Sequence, residues 1–149
     1  MEQEADTTGD GVPDWRSVRR YDADGLAVVE RVDIDVDGDY DGAYTWGWDA
    51  AGYKLWMAYD DGLDGDADYR DEREWSVGGL PVRSEIDDDG DGVPESVTLF
   101  DALGRVVHYA HYRDGALDSE DRWIYDDFAR TSITETDLGG EGDIDVVRL

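Results

Sequence analysis

The run Asp87-Asp-Asp-Gly-Asp-Gly-Val-Pro-Glu-Ser-Val-Thr-Leu-Phe-Asp-Ala-Leu-Gly-Arg-Val-Val-His-Tyr109 carries the fold in miniature. An acidic, glycine-rich loop opens it, and the element Phe100-Asp-Ala-Leu-Gly104 separates two apolar segments. Asp favours the first position of a type I turn and Gly accepts the positive φ of the bulge closing a short hairpin loop, so this element reads as a hairpin turn. Beyond it Val107 and Tyr109 share one parity, the period of two expected of a strand. The unit is an acidic loop, a strand, a tight turn and a returning strand.

The same unit recurs outward from this run. Loops begin at Asp6, Asp33, Asp60, Asp87 and Asp114, each 27 residues after the last, and a sixth begins at Asp137, 23 residues on. Each of the first five is followed by an aromatic (Tyr21, Trp48, Trp75, Phe100, Tyr125) and directly by Asp22, Asp49, Ser76, Asp101 or Asp126. Four positions beyond the aromatic stand Gly25, Gly52, Gly79, Gly104 and, in the fifth unit, Ala129. Leu55, Met57 and Tyr59 alternate with Lys54, Trp56 and Ala58, and Val28, Val32, Val82 and Ile86 repeat the apolar parity. Tyr44, Trp46 and Trp48 alternate ahead of their turn, whereas 69–75 is so charged that it is weak as a strand. No stretch carries a helical apolar stripe with caps.

These patterns predict an all-β fold: tandem antiparallel β-hairpin repeats of about 25–27 residues, arranged as a solenoid-like or curled meander sheet of about ten strands, one face covered. Turns fall on one edge and acidic loops on the other. Residues 1–149 read as a single repeat array with units starting near 6, 33, 60, 87 and 114 and a partial unit at 137–149. The stop at Leu149, so soon after the sixth loop, suggests a fragment of a longer array whose neighbouring repeats are its partners; a sixth unit without its hairpin could instead act as a cap.

Composition narrows the function. The chain has 40 acidic against 13 basic residues, a net charge of -27 and no cysteine, so disulfides and thiolate metal sites are excluded. Such a field repels phosphate backbones and anionic lipid, leaving cations as the natural counterpart and no nucleic acid as partner. No apolar run approaches the roughly 18 residues of a membrane helix, and the first residues hold no export signal. Six Trp and nine Tyr are too many for a disordered acidic tail, and 30 of the acids are Asp falling in register.

Numbered from its first Asp, each loop has Asp10, Asp37, Asp64, Asp91, Asp118 or Glu141 at position five. Gly11, Gly38, Gly65, Gly92, Ser119 and Gly142 stand at six, and Asp14, Asp41, Asp68, Glu95, Arg122 and Asp145 at nine. Position three varies: Thr8, Asp35, Gly62, Asp89, Ala116 and Gly139. Calcium takes six to eight oxygens at about 2.3–2.6 Å from carboxylates at alternate positions, with a Gly at six for the sharp bend. Two carboxylates 4 Å apart repel by about 4 kcal/mol at an effective dielectric near 20, so a convergent cluster calls for a cation. Magnesium keeps its waters and zinc prefers nitrogen or sulfur, which leaves several calcium ions as the expected cofactor. The loops at Asp6, Asp33 and Asp87 fit best, the loop at Asp60 lacks a third-position ligand, and those at Asp114 and Asp137 are degenerate.

The stretches Asp6-Thr-Thr-Gly-Asp-Gly-Val-Pro-Asp14 and Asp87-Asp-Asp-Gly-Asp-Gly-Val-Pro-Glu95 resemble the calcium loops of thrombospondin type 3 and dockerin-like repeats, and 33–41 fits the same pattern. That resemblance implies ligands at one, three, five and nine with a main-chain carbonyl at seven, here Val12, Asp39 and Val93. Phe100-Asp-Ala-Leu-Gly-Arg105 and Tyr125-Asp-Asp-Phe-Ala-Arg130 are similar to the YD repeats of bacterial Rhs-type proteins, which implies that the hairpins serve as scaffold.

Catalytic motifs are lacking: no nucleophile elbow, P-loop or dinucleotide Gly pattern occurs, and His108 and His111, three apart on a strand, point to opposite faces. An enzyme is not expected. Trp46, Trp48 and Trp56 lie in one hairpin as a candidate ligand face. The expected function is a calcium-binding, calcium-stabilised structural segment of a secreted or cell-surface protein of bacterial type. The alternative is an adhesin-like module that contacts glycan or protein through its aromatic face.

Overall fold

A computed structural model describes residues 1–125 and 131–148. Among them the fold is all-β: twelve strands and no helix. The strands are β1 (Glu2–Ala5), β2 (Trp15–Tyr21), β3 (Ala27–Asp33), β4 (Gly42–Trp48), β5 (Lys54–Asp61), β6 (Tyr69–Trp75), β7 (Pro81–Asp87), β8 (Ser96–Phe100), β9 (Val106–Arg113), β10 (Ala116–Tyr125), β11 (Thr131–Leu138) and β12 (Val146–Arg148). The chain divides into two compact units, Met1–Arg70 and Asp71–Leu149. The division falls inside β6, the segment whose charge made it the weakest strand candidate.

In the first unit β1 to β5 pair antiparallel in chain order, and in the second β7 to β12 do the same. Each is a meander of hairpins, open rather than curled, with no closing pair among the described residues. The outermost strands β1 and β12 account for the excess over the ten expected. Glu2-Gln-Glu-Ala5 has no apolar alternation of its own and is a strand because it pairs with 15–18.

The hairpin turns form as their sequences predict. The N–H of Gly25, Gly52, Gly79 and Gly104 donates to the carbonyl of Asp22, Asp49, Ser76 and Asp101, each Gly having φ between 75° and 85°. The side chain at the turn's first position closes it again: Asp101 Oδ1 accepts from Leu103 and Arg105 N–H at 2.9 and 3.0 Å, and Asp49 and Asp22 repeat the pattern. A register shift at Tyr21, Trp48 and Phe100 marks the bulge. The fifth turn, 126–130 with Asp126 and Ala129, lies outside the described residues.

The expected covered apolar face is not what the strands bury. Leu55 and Val82 are exposed, while Ala58 and Ala43, on the other parity, are buried. Among the described residues only Ala43, Ala58, Val97 and Ala110 are buried apolar side chains, against Ser17, Glu30, Asp33, Asp71, Asp87 and Asp137 among polar ones. The buried side chains are mostly short ones, and half of them are acidic.

Candidate metal centre

Five of the six expected loops turn left-handed at the same two positions, and Gly62 and Gly139 add a third such residue in two of the five. The Gly at position six has positive φ in all of them (Gly11, Gly38, Gly65, Gly92, Gly142), and so does position four: Gly9, Val36, Leu63, Gly90 and Gly140. In this shape the position-six N–H points back at the first aspartate. Asp6, Asp33, Asp60, Asp87 and Asp137 Oδ2 accept it at 2.8, 3.3, 3.1, 2.9 and 2.7 Å. Position five caps the next bend, as Asp10 and Asp91 Oδ1 accept from Val12 and Val93 N–H at 2.9 and 2.7 Å.

Position nine has a role its spacing did not reveal. Asp14, Asp41, Asp68, Glu95 and Asp145 each accept the N–H of position two (Thr7, Ile34, Asp61, Asp88, Leu138) at 2.5–2.7 Å, clasping the loop's two ends together. One oxygen of the expected last ligand is thereby occupied. Hydrogen bonds of this kind favour the charged carboxylate. The amides of Gly11 and then Gly9 hold the Asp6 carboxyl below its ordinary range, and the Thr7 hydroxyl and amide do so for Asp14.

Two loops bring carboxylates together. Asp87, Asp89, Asp91 and Glu95 each present an oxygen within 4.8 Å of the others, and Asp33, Asp35 and Asp37 do the same. In the second cluster Asp33 is fully buried and its Oδ1 has no partner. Asp39 and Asp41 lie in the same loop outside that convergence. Loop one offers Asp6, Asp10 and Asp14, with the Thr8 hydroxyl 3.4 Å from both Asp6 Oδ1 and Asp14 Oδ1. Lacking an acid at three, this loop and those with Asp60, Asp64 and Asp68 or with Asp137, Glu141 and Asp145 form no such group among the described residues. Asp60 Oδ1 and buried Asp137 Oδ1 are nonetheless partnerless. All-oxygen donors with no histidine or thiolate suit a hard cation.

The loop expected at 114–122 does not form. Arg113 pairs with Ala116 across a two-residue turn, and β10 continues to Tyr125 through Arg122, with a register shift that leaves Asp118 out of the pairing. Asp114 and Gly115 have φ of 52° and 73°, the left-handed pair of a type I′ hairpin for which Asp-Gly is a favoured sequence. With Ser119 at six and Arg122 at nine, neither the bend nor the clasp is available. Asp118 instead faces Arg113 at 3.1 Å and His111 at 3.4 Å, while His108 meets Glu120 at 2.8 Å.

The three tryptophans are each engaged. Trp56 lies across Gly47, where a Cβ would sit 2.0 Å from its ring nitrogen, and Arg70 covers its ring at 5.4 Å. Trp46 stacks on Tyr44 with centroids 6.0 Å apart, and Trp48 Nε1 donates to the Ala27 carbonyl at 2.7 Å. No protein-family model matches the chain, and a comparison with curated proteins found no match.

Proposed function

We propose that this chain is a calcium-binding, calcium-stabilised β-hairpin repeat, a structural segment of a secreted or cell-surface protein of bacterial type. One observation carries the reading: carboxylates converge in the loops at 33 and 87, and in the first of these a fully buried oxygen has no partner. A buried acceptor left without a hydrogen bond costs about 1–3 kcal/mol, and an ion would remove that cost. The resemblance of both loops to thrombospondin type 3 and dockerin-like sequences, and of the turns to YD repeats, supports the same reading. An address outside the cell suits it, since open loops of this kind bind at about 10⁻⁴–10⁻³ M, where extracellular calcium fills them.

Calorimetric titration with calcium and then magnesium is the test. Two or more calcium sites, a clear preference over magnesium, and a melting temperature that falls with chelator are expected. Each site at 100 times its dissociation constant adds about 2.7 kcal/mol. Heat and melting curves blind to calcium would refute the proposal. The adhesin-like alternative finds less support, because Trp46, Trp48 and Trp56 are each engaged by other residues of the chain: Tyr44, the Ala27 carbonyl and Arg70. The groove beside Trp48, about 490 Å³, is bordered by Asp22 and Asp49, which already close their turns.

A further inference from the structure

The first aspartate of a loop ends one strand and faces a residue of the strand before it. For loop three that residue is Ala43, for loop six Glu120, and for loop two Arg16. Arg16 Nη2 donates to Asp33 Oδ2 at 2.6 Å. Its guanidinium also lies 5.7 Å from the ring centroid of Tyr40, position eight of the same loop. Arg16 is thus fastened to loop two at both ends while belonging to another strand. The oxygen it takes is not the orphan: Asp33 Oδ1 remains buried and partnerless, in a carboxylate that has an oxygen within 4.8 Å of Asp35 and Asp37.

We infer that Arg16 is the resident counter-cation of loop two, neutralising Asp33 when no ion is bound and weakening divalent-cation binding when one arrives. The inference rests on the reading of these loops as cation sites. An ion in the cluster and the guanidinium on Oδ2 would share one carboxylate, at a separation where like charges repel appreciably even with partial screening. Removing the guanidinium must therefore act with opposite signs in the two states. The ion-free fold loses a charge-assisted hydrogen bond to a buried carboxylate. The ion-bound fold loses a repulsion.

The amides of Gly38 and Gly92, which donate to Asp33 and Asp87, report the two loops separately. In the full ¹⁵N-labelled chain titrated with calcium chloride, Arg16→Gln should lower the midpoint at Gly38 about tenfold, the effect of one like charge removed, and leave Gly92 unchanged. The same variant should melt at a lower temperature without calcium and gain more on its addition. Arg16→Lys, which keeps the charge, should restore the wild-type midpoint. A Gly38 response found only in Arg16→Gln also supports the inference. A variant unfolded without ion must fold at saturating calcium. Persistent unfolding there, or a Gly38 midpoint unchanged or raised, overturns it. If neither amide responds to calcium in the wild type or in Arg16→Gln, the cation reading falls and takes the inference with it. If the wild type responds and Arg16→Gln does not differ, the inference alone falls.

Discussion

The loops at 33–41 and 87–95 have the same fold and nearly the same acids, yet they reach charge balance differently. In 87–95 the first aspartate spends both oxygens on backbone, accepting Gly90 N–H at 2.7 Å and Gly92 N–H at 2.9 Å. In 33–41 the residue at position four is Val36, at φ 58°, and its N–H does not reach Asp33. One oxygen there is left over, and Arg16 supplies the positive charge that the backbone does not. A loop that satisfies itself can form before its ion arrives. A loop whose buried carboxylate keeps one oxygen unpaired needs a cation of some kind from the start.

The largest effect expected from this contrast comes from neutralising position five. Asn keeps the oxygen that accepts Val93 N–H, so Asp91→Asn removes charge and little else. With calcium at 100 times the site's dissociation constant it should cost up to about 2.7 kcal/mol, the contribution of a well-filled site. Asp37→Asn should cost less, because Arg16 still neutralises loop two. Equal losses in the two melting curves would erase the distinction between the loops.

An exchange at position four should have an intermediate effect. A β-branched residue in the left-handed region carries roughly 1–2 kcal/mol of strain. Gly90→Val should therefore lower the ion-free melting temperature by about 2–4 °C per kcal/mol. Val36→Gly should raise it by less, since the added freedom of Gly in the unfolded chain offsets part of the relief. Shifts of the same sign would show that position four is not where the loops differ.

The smallest effect separates loops from turns through pH. Arg105, whose side chain hydrogen-bonds Asp101, holds that carboxyl below its ordinary value of 3.8, with the amides of Arg105 and Leu103 adding to it. A depressed folded pKa stabilises fully above the ordinary value and is lost as pH falls below it. Exchange protection of Gly104 should therefore persist to about pH 4 and weaken only below that. Asp101→Asn should abolish that step while leaving calcium binding untouched.

Much of this was legible in the chain. The 27-residue spacing located the loops, and aromatic-Asp-x-x-Gly located the turns, because both depend on backbone conformations that few residues accept. What escaped depended on partners rather than on local pattern. Val36 and Leu63 occupy left-handed positions that their side chains disfavour, so no residue preference announced them. The clasp by position nine needs the loop already folded. Gly42 and Gly47 look like flexible spots, but they make room for the Tyr59 and Trp56 rings on the neighbouring strand. The loop expected after Asp114 failed because Asp-Gly serves a two-residue hairpin as well as it serves a metal loop.

The scarcity of buried apolar side chains has a thermal consequence. Unfolding an ordinary domain raises the heat capacity by about 12–15 cal/mol/K per residue, chiefly through newly wetted hydrocarbon, while wetted polar surface acts the other way. Among the described residues the buried apolar side chains are Ala43, Ala58, Val97 and Ala110, the larger ones being half-buried or exposed, and five of the buried polar residues are carboxylates. The heat-capacity increment should be small for the chain's length, and its stability curve correspondingly flat. Such a protein gains little from cooling and has little tendency toward cold denaturation. Its resistance to unfolding would then vary more with the ions in its surroundings than with the season.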